Sequence, residues 1–134
     1  MTDDNPKAVV DRFLSLIASG SRDDIVACFT EDGVIDMAGT PDFPWAGHWQ
    51  GRAKLEEYFT VMPAALEMMD HQMTSCTVEG NRVAMTGTEH GRSRASGKDY
   101  HAKWAWVFHI RDGAIEFWDA YEDTQAFEHC APWK

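Results

Sequence analysis

A chain of 134 residues, 44% apolar and 25% charged, has the size and composition of one globular domain, enough to bury roughly two thirds of its unfolded surface. Its net charge of −10, with no basic block beyond Arg92-Ser93-Arg94, argues against nucleic acid and repels polyanions, so a small neutral or weakly charged ligand fits better. No apolar run approaches the ~18 residues of a membrane span, and the acidic start lacks the basic and apolar regions of a secretion signal, so a cytoplasmic location is expected.

The first half reads as helical. Asn5-Pro6 offers a cap and a first-turn proline, and Val9, Val10, Phe13, Leu14 and Ile17 recur on one helical face. Gly20 ends this helix, and Ser21 with Asp24 opens a short second one that buries Ile25, Val26 and Phe29. Glu31-Asp32-Gly33 turns the chain into a short strand, 34–37. Residues 38–50 form a loop, yet carry Phe43, Trp45, His48 and Trp49, an aromatic content that suggests a segment folded over something apolar. A third helix starts near Arg52, with Leu55, Tyr58, Phe59 and Met62 at helical spacing, and is interrupted by Pro63.

The second half reads as a sheet. Strands are expected over about 71–78, 82–92, 100–110 and 114–123, joined by turns short enough to make each neighbouring pair antiparallel. Helices first and an antiparallel meander after them make an α+β domain with helices on one face of the sheet. Cys28, Cys76 and Cys130 are widely spaced and read as free thiols, with no CxxC pair.

Asp112-Gly113 is a strong hairpin signal between two tryptophan-rich runs. A regular two-residue turn pairs Phe108 with Phe117, Trp106 with Asp119 and Trp104 with Tyr121. The opposite face then holds His109 with Glu116, Val107 with Trp118, Ala105 with Ala120 and Lys103 with Glu122, and adds His101. Hydrophobicity buries the face of Trp104, Trp106 and Phe108, and a bulge would exchange the two faces.

The order of elements resembles the SnoaL-like and ketosteroid-isomerase-like branch of the nuclear-transport-factor-2-like superfamily, over nearly the whole chain. The resemblance rests on Val9-Val10-Asp11-Arg12-Phe13, Phe29-Thr30-Glu31-Asp32 leading to Asp36, Gly51-Arg52, Trp106 to Ile115 through the turn, and Tyr121-Glu122-Asp123. It implies a single domain over 1–134. It also implies a cone-shaped curved antiparallel sheet wrapped around three helices, an internal apolar pocket, and a homodimer through the outer sheet face. Family threading puts Trp118, Ala120 and Glu122 inside the cone, and this is the preferred register. Family members include isomerases, cyclases, dehydratases, epoxide hydrolases and proteins without catalysis, so fold alone does not settle function. The isomerase's tyrosine corresponds to Phe13 and its protonated aspartate falls near Ala105, while the epoxide-hydrolase aspartates fall at His101 and Ala120; neither constellation is intact.

The resulting expectation is a cofactor-independent enzyme that moves protons on an apolar cyclic or polyketide-like carbonyl compound. Asp36 is the expected base and His101 a supporting acid/base. Trp45, Trp49, Tyr58, Met85, Lys103, Trp118 and Glu122 are the expected substrate-binding residues. No metal-ligand spacing is present; His101 and His109 lie about 26 Å apart on one strand, and a pairing of His90 with His101 rests only on a guessed register. The alternative is a non-catalytic small-molecule-binding or dimerisation module of the same fold.

Overall fold

The computed structural model describes residues 5–133. Helix α1 (Pro6–Ser19) begins where the Asn5 side chain accepts from the Lys7 and Ala8 amides, and α2 (Arg22–Val26) where Ser21 accepts from the Asp24 amide. Strand β1 (Phe29–Met37) starts five residues earlier than the sequence suggested. The aromatic loop then shortens to 38–46, because Gly47–Gln50 forms β2 against β1. Helix α3 (Arg52–Ala65) carries Pro63 in its final turn. The meander follows as β3 (Leu66–Glu79), β4 (Arg82–Ser93), β5 (Asp99–Arg111) and β6 (Ala114–Glu122), and a short α4 (Thr124–Glu128) ends the element order.

The six strands make one curved, unclosed sheet in the order β2-β1-β6-β5-β4-β3. All neighbours are antiparallel except β1 and β6, which run parallel. Phe13 of α1 sits at the centre of the core, its ring 5.3 to 6.2 Å from those of Phe29, Phe59, Phe108 and Trp118. Edge-to-face aromatic packing of this kind adds specificity to the apolar burial.

Asp112 and Gly113 both take positive φ, as a type I′ hairpin turn requires. Arg111 faces Ala114 and Ile110 faces Ile115, but then His109 faces Phe117, leaving Glu116 unpaired in a bulge. Everything beyond is displaced by one residue from the regular register. Phe108 pairs with Trp118, Trp106 with Ala120 and Trp104 with Glu122. Hydrophobicity and family threading therefore each identified one strand's inner face, and the bulge makes the two faces the same. Lys103 is left outside, and its expected pairing with Glu122 does not occur.

The loop 38–46 is a plug. Phe43 and Trp45 stack with centroids 5.4 Å apart, and Trp45 meets Trp133 at 4.6 Å and Phe127 at 5.3 Å, so the segment after β6 clamps it. His48 is exposed on β2.

Candidate active site

Between the concave sheet and the helices lies a cavity of about 500 Å³. Its buried end is walled by Trp45, Tyr58, Trp118 and Phe127, and its rim carries the exposed residues Ala18, Pro63, Met68, His71 and Arg94. This is the balance of many apolar surfaces and few polar groups that small-molecule sites show.

The polar groups at the buried end are Glu89 and Glu122. Strand alternation dictates the position of Glu89. The inner face of β4 reads Met85, Gly87, Glu89, Gly91 and Ser93, while Thr86, Thr88, His90 and Arg92 face outward. The two glycines beside Glu89 leave room for rings from β5: a Cβ at Gly87 would collide with the Trp104 indole and the Gln72 carbonyl, and one at Gly91 with the Tyr100 ring. Tyr100 uses that space to donate its hydroxyl to Glu89 Oε2 at 3.3 Å. Glu122 sits at the end of β6, facing inward because of the bulge, and its Oε1 accepts the Trp106 indole N–H at 3.3 Å. Its Oε2 is sealed from solvent.

Two carboxyl groups in so dry a place cannot both ionise. Burial raises Glu89 to about 7, opposed in part by the Tyr100 hydroxyl and by the neighbouring Glu122 carboxyl. Burial and the neighbouring Glu89 charge hold Glu122 well above the ordinary carboxylate range. The pair therefore holds a proton more readily than ordinary carboxyl groups do, with Glu89 placed near neutrality. The same burial raises the Tyr58 and Tyr100 hydroxyls, so both remain donors. The Tyr58 hydroxyl has no hydrogen-bond partner among the described residues. His71, whose ring stacks 4.8 Å from Trp104 and 5.1 Å from Trp106, is lowered by burial and is neutral at pH 7.

Of the residues expected from sequence, Trp45, Tyr58, Trp118 and Glu122 line this cavity. Met85 is buried beside it as core, and Trp49 supports it, its ring 5.7 Å from Tyr58 and its N–H on the Trp45 carbonyl. Asp36, His101 and Lys103 are exposed and none of them lines the cavity. Asp36 pairs with Asp119 on the outer row of the sheet, and His101 stacks on His90 at 4.2 Å across the β4–β5 ladder. A proton acceptor there has no path to an enclosed ligand, so the expected base and its helper are corrected to the outer face. Glu89 was not singled out in the sequence, although the alternation Val83, Met85, Gly87, Glu89 marks it as inward-facing.

A SnoaL-like domain model matches residues 10–118. The chain belongs to the SnoaL-like family. Solved structures agree at the level of fold. An NTF2-like protein from Burkholderia xenovorans is 21% identical with a TM-score of 0.86, covering 97% of each chain. The protein TerC, co-crystallised with polyporic acid, is 18% identical with a TM-score of 0.79, over 93% of this chain and 96% of its own. An LEH-like epoxide hydrolase from M. tuberculosis is 17% identical with a TM-score of 0.72, over 93% and 88%. No curated protein matches. This SnoaL-like domain has none of these neighbours' identities at a level that transfers an activity.

Proposed function

We propose that this SnoaL-like chain is a cofactor-independent enzyme of isomerase, cyclase or dehydratase type, acting by proton transfer on an apolar cyclic or polyketide-like carbonyl compound. The observation that carries the reading is the Glu89–Glu122 carboxyl pair at the dry end of an aromatic cavity. Glu89 in its ionised form takes a proton from the carbon beside the substrate carbonyl, and the C–H electrons move into the new C=C bond. The carbonyl oxygen, becoming an enolate, receives hydrogen bonds from Tyr58 O–H and the protonated Glu122. Protonated Glu89 then returns its proton to the same or a conjugated carbon. A preorganised donor in an apolar site is the electrostatic device that lowers such barriers. The co-crystal of TerC with polyporic acid supports a cyclic ligand for this cone.

Deuterium exchange at C2 of 1-tetralone, followed by NMR in D₂O, tests the assignment. Glu89→Gln is expected to slow exchange by about a hundredfold or more, the scale of general-base catalysis, while Asp36→Asn exchanges like wild type. Equal exchange by wild type and Glu89→Gln would remove the enzymatic reading and leave a ligand-binding module.

The outer sheet face carries the proposed homodimer. Exposed Tyr121, at 56% relative accessibility, and the small residues Ala84, Ala105 and Val107 share that face. Sedimentation at micromolar concentration checks it, and a monomer at every concentration would end the idea.

A further inference from the structure

The cavity has a charge layout that the acid–base reading does not use. Its buried end holds the two carboxyl groups among Trp, Tyr and Phe rings, and its rim holds one cation, Arg94. His71 shares the rim but is uncharged at neutral pH, because partial burial against the indoles strips water from its ring and lowers its proton affinity. In a chain of net charge −10, one arginine at the mouth of an apolar pocket stands out.

Arg94 is also held there. Its backbone N–H donates to the Ala65 carbonyl at 3.0 Å, and its Nε donates to the Pro63 carbonyl at 2.9 Å, where α3 hands over to β3. That tether fixes the guanidinium beside the opening and leaves its Nη donors for other partners. Among the described residues the carboxylate paired with them is Glu67, 3.5 Å from Nη1, in a half-exposed pair of the kind worth little to stability. A ligand carboxylate reaching the rim would replace a loose contact with a charge-assisted one, and the planar guanidinium can bind it with two N–H donors.

We propose that the natural ligand is an amphiphilic cyclic acid, whose ring and carbonyl enter the cavity while its carboxylate stays at the rim on Arg94. This rests on the acid–base reading of the same cavity and adds the ligand's second end. It makes Arg94 a specificity-determining residue: the pocket discriminates an acid from its neutral ester. Glu67 opposes it, because any carboxylate on Arg94 must displace or share with Glu67.

Calorimetric titration with 1-tetralone-6-carboxylic acid and its methyl ester at pH 7 tests this. Wild type is expected to bind the acid about tenfold more tightly than the ester, which a single charge-assisted contact supplies. Arg94→Met, which keeps the apolar stem, abolishes that preference by weakening the acid and leaving the ester within about twofold. Glu67→Gln tightens the acid alone. A purely structural role for Arg94 would weaken acid and ester together. That result, or an ester bound as tightly as the acid by wild type, or binding of neither, overturns the proposal. Glu89-dependent exchange in the ester without any acid preference would sink this inference and spare the acid–base reading. An Arg94-dependent preference without exchange would do the reverse.

Discussion

Glu89 shows how a strand's local pattern sets a side chain's chemistry. Glycines on either side of it on the inner face of β4 admit the Trp104 and Tyr100 rings, the rings exclude water, and exclusion of water lifts the carboxyl to about 7. If Glu89 is the base, only its ionised form works, so kcat/KM for the free enzyme rises with pH and levels off above about 7. A pH–rate profile of tetralone exchange measures this, and a profile that is flat from pH 5 to about 9 would exclude Glu89 as the titrating base. Sequence reading did not find this residue because a glutamate is seldom buried, although it shares the inward parity of Val83 and Met85. It chose Asp36 instead, on the resemblance of the stretch from Phe29 to Asp36 to the family. In the structure Asp36 falls on the outward parity of β1, between buried Ile35 and Met37.

At the scale of elements, the helices, the meander and the Asp112-Gly113 turn were legible, since caps, periodicity and turn chemistry all agree there. The bulge was not, because nothing about Glu116 distinguishes it from a paired strand residue. Its outcome can be separated from its cost by deletion. Removing Glu116 makes the ladder regular while keeping Phe108 on Trp118 and Trp104 on Glu122, so the faces survive. The loss is the local bend and the 3.3 Å Arg111–Glu116 ion pair, roughly 1–3 kcal/mol in all. Removing Asp119 instead leaves Trp118 and Ala120 adjacent, so they cannot both face inward, and cooperative unfolding should be lost. Urea denaturation of the two deletions compares them directly. Equal damage from both would show that the bulge itself, rather than the register it sets, holds the fold. The β1–β6 parallel pairing and β2 were also hidden, because each depends on partners far away in the sequence.

For the whole molecule, the carboxyl pair couples stability to pH. Both glutamates have folded-state affinities for the proton above the unfolded ones, so the native state binds more protons than the unfolded chain once pH exceeds about 4.5. Stability is therefore fully present at low pH as far as these groups are concerned, and falls as pH rises toward and through 7. For Glu89, raised to about 7 in the folded protein, the loss amounts to roughly 3 kcal/mol at alkaline pH. Melting curves between pH 5 and about 8.5 should show Tm falling in wild type and a shallower fall in Glu89→Gln. An identical slope in both would mean that Glu89 is not the group responsible. This is the energetic cost of keeping a carboxyl pair dry, and the aromatic core around Phe13 offsets it.

All six tryptophans belong to the aromatic contacts that surround the cavity. Trp104 and Trp106 stack with ring centroids 3.9 Å apart, Trp118 touches Trp106 at 5.1 Å, and Trp45 packs on Trp133. Chromophores this close exchange excitation, so the protein's near-ultraviolet signals report on the group and not on isolated rings. A ligand entering among Trp45, Trp106 and Trp118 changes the emission and the exciton coupling at once. The fold thus carries its own optical reporter of occupancy, one that needs no label and registers ligands whether or not they are turned over.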